Sequence, residues 1–373
     1  MSQKTVSMDE GYKSLDSWLE DTGCKTMLLV CGGSIRHQEK ILAWLDHIAQ
    51  KGITVERFSG FQPNPTYENV VDGVAHFRKL HCDVIVAVGG GSAMDVAKAI
   101  KGFSQMDGDG DDGSFLRQEI KPDNIPFLAV PTTAGTGSEA TRFAVIYYKG
   151  EKQSVAGENL IPDAVVLDPD TLATLPVRQK KAAMMDALCH GIESFWSINS
   201  TEESKEFSKA AIRGIIENAD AYLDNDREAG AKMLQAANIA GKAINITQTT
   251  AGHAMCYKIT GIFGVPHGHA AILCDRVLFP WMIDNIDKCV DPRGKEYVRN
   301  TLDELGRAMG CENAKMGARF LMELFDEYDL EVPCATEEQY KILRESVNPE
   351  RLKNHPIALD LETIDKLYHE VLR

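Results

Sequence analysis

The chain reads as an α/β domain built on a parallel sheet, followed by an all-helical domain. Three observations lead there. Short apolar runs and helix-periodic segments alternate through the first half, and glycine-rich turns follow several of the apolar runs. Beyond Pro176 strand-like runs become scarce and helical periodicity takes over. The boundary falls between Asp168-Pro169 and Pro176, which gives segments 1–175 and 176–373.

Residues 26–30, 53–58, 84–88 and 127–130 are short and apolar, as strands of a buried sheet should be. Between them, 38–50 and 66–80 carry apolar residues at helical spacing, and 92–103 opens a helix directly after a glycine cluster. Strand and helix in alternation predict parallel pairing with helices on both faces. Residues 144–148 and 164–167 add a ribbon or edge strands. In the second segment, 178–197, 202–223, 229–246 and 298–309 read as helices, and there is no internal repeat. The loop 107–113 is acidic and glycine-rich, but the sixth and twelfth positions of a calcium loop hold Asp112 and Gln118 in place of Gly and Glu. It reads as a solvated turn.

With 373 residues, 44% of them hydrophobic and 25% charged, the chain has the make-up of a soluble globular protein of two ordinary domains. No apolar run reaches the ~18 residues of a membrane span. Residues 1–20 are polar and amphipathic without the apolar core of a signal peptide, so a cytoplasmic location is expected. A formal charge of −15 opposes binding to nucleic-acid phosphates. Nine cysteines, irregularly spaced and without a C-x-x-C pair, read as free thiols in a reducing compartment.

Asp186 and His190 are four apart in an apolar stretch free of helix breakers, so a helix places both on one face. With His253 and His267 they form a set of one carboxylate and three imidazoles, which suits Fe(II) or Zn(II) better than Mg(II) or Ca(II). His269 is a rival to His267, and Cys189 and Cys256 lie close enough in sequence to serve as ligands. Three turns bear on a dinucleotide. Gly89-Gly90-Gly91-Ser92 runs from a strand into a helix carrying Asp95 and Lys98, where backbone N–H groups could meet a pyrophosphate. Pro131-Thr132-Thr133-Ala134-Gly135-Thr136-Gly137-Ser138-Glu139 offers hydroxyl and backbone donors and can at the same time be a Ser/Thr-capped helix start. Cys31-Gly32-Gly33-Ser34 precedes Arg36, with no Asp or Glu between Val30 and Gln38; small residues and a nearby Arg leave room for a 2′-phosphate, so NADPH should be accepted or preferred.

Taken together these runs, with Asn64-Pro65-Thr66, Pro162-Asp163 and Glu193, resemble the iron-dependent (group III) alcohol dehydrogenases over about residues 60 to 280. The resemblance implies a Rossmann-like N-terminal domain, an all-α C-terminal domain and a cleft between them for NAD(P)H and a divalent metal, Fe(II) or Zn(II). It implies Asp186, His190, His253 and His267 as metal ligands and catalytic centre. It implies Gly90, Gly91, Ser92, Asp95, Thr132, Thr133, Thr141 and Lys152 as cofactor contacts, to which the turn after the first strand adds Ser34, and a homodimer or larger assembly. Many members have a further histidine four residues after the third ligand; here Tyr257 stands there.

The metal would act as a Lewis acid on a carbonyl oxygen while the nicotinamide carries hydride. Runs 142–147, 193–204 and 241–247 are similar to the branch that reduces phosphonoacetaldehyde or sulfoacetaldehyde, two-carbon aldehydes with an anionic tail. Such a tail needs cations, for which Arg142, Lys242 and Lys258, with Tyr257 as a hydrogen-bond donor, are the candidates. A general short-chain aldehyde reductase of the same family is the alternative. A metal-dependent hydrolase of a phosphorylated substrate is a more distant one, as are the related sugar-phosphate cyclases and zinc glycerol dehydrogenases.

Overall fold

The computed structural model of the protein describes residues 3–6 and 13–373. The expectation of a polar, leader-free start therefore lies in part, at residues 1–2 and 7–12, outside the described residues. The chain divides into two compact units, Met1–Leu175 and Pro176–Arg373.

The first unit contains strands β1 (Lys4–Val6), β2 (Thr26–Cys31), β3 (Thr54–Phe58), β4 (Val84–Gly89), β5 (Phe127–Pro131), β6 (Phe143–Tyr148), β7 (Glu151–Ala156) and β8 (Ala164–Val166). Its helices are α1 (Lys13–Thr22), α2 (Glu39–Gln50), α3 (Tyr67–Lys79) and α4 (Gly91–Ser104). Six strands form one sheet in the order β1-β8-β5-β4-β2-β3, every pair parallel. Alternation of side chains across the strands explains why the middle runs are apolar throughout. Leu28, Val30, Ile85, Ala87, Phe127 and Ala129 pack on one face with α3 and α4, while Met27, Leu29, Val84, Val86 and Val88 pack on the other with α1 and α2.

Two sequence expectations shift. Residues 164–166 are neither edge nor ribbon: β8 sits inside the sheet between β5 and β1. The ribbon is made instead by β6 with β7, an antiparallel pair whose second strand is too polar to have been seen. The three-residue β1 and the amphipathic α1, which buries Leu15, Trp18 and Leu19, also escaped the reading.

The strand order reverses direction between β2 and β4. From β2 the chain steps outward to β3, then returns past β2 to β4 and continues to β5. The carboxyl ends of β2 and β4 thus flank a topological switch point, the place where doubly wound sheets bind ligands. Both ends carry glycine turns.

The second unit comprises α5 (Val177–Trp196), α6 (Glu202–Leu223), α7 (Arg227–Thr247), α8 (Ala251–Phe263), α9 (His267–Asp284), α10 (Lys295–Ala308), α11 (Ala314–Glu327), α12 (Glu337–Ser346), the single turn α13 (Pro349–Leu352) and α14 (Leu361–Val371). Its centre is α5, buried continuously from Met184 to Trp196 and packed against α6, α7, α9 and α10. Polar caps set the surrounding helix starts: Thr201 and Thr336 form capping boxes, and Asp226 accepts from Ala229 N. No helix of the described residues is long and apolar enough to cross a membrane. A parallel-sheet part followed by a helical part is the architecture the sequence leads one to expect.

Candidate metal and dinucleotide sites

In the second unit, Asp186 and His190 project from adjacent turns of α5, His253 from the first turn of α8, and His267 from the first residue of α9. Asp186 Oδ1 lies 3.5 Å from His253 Nε2, 3.8 Å from His267 Nε2 and 3.9 Å from His190 Nε2. Ligand atoms arranged tetrahedrally at about 2.1 Å from one cation stand about 3.4 Å apart, so these separations fit a metal-binding set. Asp186, His253 and His267 converge mutually, with one ligand atom from each within 4.8 Å of the others. His190 joins them through its approach to Asp186 and by stacking on His253, ring centroids 4.7 Å apart.

Asp186 Oδ1 and His253 Nε2 are buried and have no hydrogen-bond partner, an expensive condition unless a cation lies between them. Burial pushes the Asp186 carboxyl upward, but the imidazoles of His190, His267 and His253 outweigh it and hold the group below the usual carboxylate range. For His253, burial works downward, while Glu193 and Asp186 prevail and lift it to about 10. The negative field that favours a proton on His253 would equally favour a divalent ion. The residues present therefore fit a metal.

Behind His253 stands Glu193, fully buried on α5. It contacts His253 Nδ1, accepts from His253 N at 3.0 Å, and accepts from Thr250 N and Thr250 Oγ1 at 2.6 Å each. A carboxylate behind a ligating imidazole fixes its tautomer and orientation. In the sequence Glu193 entered only as one of the residues carrying the family resemblance, without a role; its i+7 spacing from Asp186 on one helix face was the signal for this one. Cys256 is buried with its Sγ 3.7 Å from His267 Nδ1, on the side away from Asp186, so it braces the His267 ring. The rival His269 points elsewhere: its Nε2 meets Glu331 O at 2.8 Å.

The close approach of α9 to α5 depends on Gly268. A Cβ there would lie 2.0 Å from Ala182 O and 2.7 Å from Asp186 N. Backbone atoms cannot swing aside, so only glycine brings His267 up to Asp186.

In the first unit, Gly90 caps α4 without a side-chain hydrogen bond, so the helix start presents backbone N–H groups. The glycines also make room for the next turn: a Cβ at Gly90 would meet Thr133 at 3.3 Å, and one at Gly91 would meet Thr136 at 3.0 Å. Residues 132–141 are a loop with one short 3-10 turn, Ser138–Ala140, entered through Gly137 at φ 58°. The capped helix start that this run also permitted is not formed. Thr132 N donates to Gly89 O, tying the two turns together at 2.9 Å.

Lys98 organises this corner in a way the sequence did not disclose. Fully buried, its Nζ donates to Ser138 O, Ser138 Oγ (3.1 Å), Thr141 Oγ1 (3.0 Å) and Phe143 O (2.8 Å). Burial brings its pKa down to about 8, against the attraction of Asp95 and Glu139. Asp95 accepts from Ser138 Oγ at 3.0 Å; burial raises its carboxyl, with Lys98, Ser138 and the charge of Lys152 among the groups opposing. Gly90, Gly91, Ser92, Asp95, Thr132, Thr133 and Thr141 thus gather at the carboxyl ends of β4 and β5. Thr141 engages Lys98 there, and Lys152 on β7 acts on Asp95 through its charge. Ser34 is exposed in a 3-10 turn after β2, beside exposed Arg36.

The candidate anion-binding residues fare unevenly. Arg142 pairs with Glu158 at 2.9 Å, Lys258 is exposed, and Lys242 is half-buried on α7. Tyr257 lies flat on His267, with ring centroids 5.3 Å apart and 14° between the planes.

Residues 2–169 match the model for iron-containing alcohol dehydrogenase, and residues 180–372 match the C-terminal model of the Fe-containing alcohol dehydrogenase family. The protein is thus an oxidoreductase of the alcohol dehydrogenase class. It belongs to the iron-containing alcohol dehydrogenase family. It is 35% identical over 327 residues to a phosphonoacetaldehyde reductase of Streptomyces viridochromogenes, covering 82% of this chain and 80% of that one. An NADPH-dependent butanol dehydrogenase of Clostridium saccharobutylicum is 32% identical over 278 residues, 73% and 70% of the two chains. Sulfoacetaldehyde reductase from Bifidobacterium kashiwanohense, solved in complex with NAD+, superposes with a TM-score of 0.86 at 26% identity, over 99% of this chain and 96% of that one.

Gly268→Ala should destabilise the protein by roughly 1–3 kcal/mol, because backbone at Ala182 and Asp186 must yield. Denaturant unfolding of the two proteins side by side measures this. A native-like midpoint would show that α9 and α5 do not need their close approach.

Proposed function

We propose that this chain interconverts a small aldehyde and its primary alcohol with NAD(P)H, and that its substrate is a two-carbon aldehyde with a tetrahedral anionic tail, phosphonoacetaldehyde or sulfoacetaldehyde. On this reading residues 1–175 bind the dinucleotide and residues 176–373 hold the metal. The carrying observation is the convergence of buried Asp186 Oδ1 with the Nε2 atoms of His253, His267 and His190. Membership of the family supports the reaction class, and the named activities of the two reductase relatives support the substrate class. The nine free thiols suit a reducing, cytoplasmic setting.

When bound, a divalent cation supplies Lewis acidity toward the carbonyl oxygen and the dihydronicotinamide supplies hydride. Asp186 provides the one negative charge in the ligand set, leaving net positive charge for the substrate oxygen. Glu193 holds His253 with Nε2 directed at Asp186, and Cys256 steadies His267. The side chain of His267 is 38% exposed against 2% for His253, so the open side of the cluster is at His267. In the first unit the start of α4 and the hydroxyls of 132–141 would hold the pyrophosphate and ribose, with Lys98 keeping that loop in place.

Three outcomes are expected. Glu193→Gln should weaken Zn(II) or Fe(II) binding by about 10- to 100-fold, read by competition against a chromogenic chelator, since the carboxylate behind His253 is lost. Unchanged affinity would remove Glu193 from the site. Reduced-cofactor absorbance followed with a panel of acetaldehyde, propanal, phosphonoacetaldehyde and sulfoacetaldehyde should show turnover that chelation abolishes and Fe(II) restores; full activity in metal-free protein would refute the proposal. In the same assay NADPH should serve at least as well as NADH, because Gly33, Ser34 and Arg36 put no carboxylate at the end of β2. A much higher kcat/KM with NADH would contradict that.

A further inference from the structure

We infer that Arg351, held against Tyr257, is the group that recognises the anionic tail of the substrate. The inference rests on the aldehyde-reductase reading above and adds to it the residue that selects the substrate class.

Tyr257 lies flat on His267, the most exposed of the four clustered side chains. Arg351 is fixed to that same phenol. Its Nη1 donates to Tyr257 Oη at 2.9 Å, and its guanidinium carbon lies 4.8 Å from the ring centroid. One aromatic ring therefore separates a guanidinium from the open side of the cluster. The backbone that carries Arg351 is itself constrained. It belongs to α13, which opens with Pro349, is capped by Asn348 Oδ1 accepting from Glu350 N at 2.9 Å, and packs on α8, the helix of His253 and Tyr257.

The donor inventory favours this arginine over the other cations. A guanidinium has five N–H donors in a planar fork. Among the described residues, the guanidinium of Arg351 hydrogen-bonds to Tyr257 alone, and no carboxylate stands within salt-bridge distance of it. Arg142, by contrast, is paired with Glu158, and Arg293 with Asp291. The alkyl tail of a neutral aldehyde offers such a fork no acceptor. A phosphonate or sulfonate offers several oxygens, two of which can accept parallel N–H bonds while Tyr257 keeps the fork oriented. A half-buried position excludes part of the solvent that would otherwise weaken the pair.

The test uses the full chain loaded with Fe(II) and supplied with NADPH. kcat/KM is measured for phosphonoacetaldehyde, sulfoacetaldehyde and propanal with the native protein, Arg351→Gln and Arg351→Lys. The preference for anionic over neutral aldehyde should fall roughly 10- to 100-fold in Arg351→Gln, mainly through KM, with Arg351→Lys in between. The two anionic arms tell which tail is accepted. A preference equal to the native one overturns the inference, as does a native enzyme that treats propanal and both anionic aldehydes alike; either result leaves aldehyde reduction itself standing. Absence of turnover with every aldehyde and both cofactors sinks the reductase reading instead. Calorimetric titration of methylphosphonate then decides Arg351 separately: binding about tenfold or more weaker in Arg351→Gln supports it, and equal binding overturns it.

Discussion

A carboxylate withdrawn from water costs several kcal/mol unless positive charge and donors surround it. Asp186 is such a carboxylate: buried in the middle of α5, it faces three imidazole nitrogens and has one oxygen without a hydrogen-bond partner. Three helices must bring their side chains to that oxygen at once. The long burial of α5, the first-turn placement of His253 and His267, and the bare backbone at Gly268 all serve that convergence. Glu193 extends the same logic outward, since the imidazole that faces Asp186 on one edge is gripped by a second buried carboxylate on the other.

The sheet solves a different problem, that of presenting backbone donors at the ends of its strands. Parallel strands of apolar residues end together, and the order reverses at β2 and β4, the position at which doubly wound sheets generally bind ligands. Glycines there do two things. They expose the start of α4, and they allow the 132–141 loop to close against it through Thr133 and Thr136. Buried Lys98 then ties this loop down, its ammonium shared among Ser138 O, Ser138 Oγ and Thr141 Oγ1 in the loop and Phe143 O at the start of β6. Its burial and its protein acceptors make Lys98 a clamp for the loop.

Much of this was legible beforehand because it rests on local pattern. Alternating apolar runs fixed β2 to β5, and the D-x-x-x-H spacing put Asp186 and His190 on one helix face. What was not legible depended on contacts between distant segments. The polar strand β7 takes its identity from pairing with β6, and the interior place of β8 from β1, only three residues long. The approach of Arg351 to Tyr257 spans 94 positions and follows from how α13 docks on α8. Likewise spacing left His267 and His269 level, and only the turn of α9 that sends His269 to Glu331 O separates them.

The coordination shell itself gives the most direct test. X-ray absorption at the iron or zinc edge of the metal-loaded protein should show one cation per chain surrounded only by nitrogen and oxygen at about 2.0–2.2 Å, with the multiple-scattering pattern of imidazole. A sulfur neighbour at about 2.3 Å would move the ion onto Cys189 or Cys256, and a shell without imidazole would place it away from Asp186 altogether.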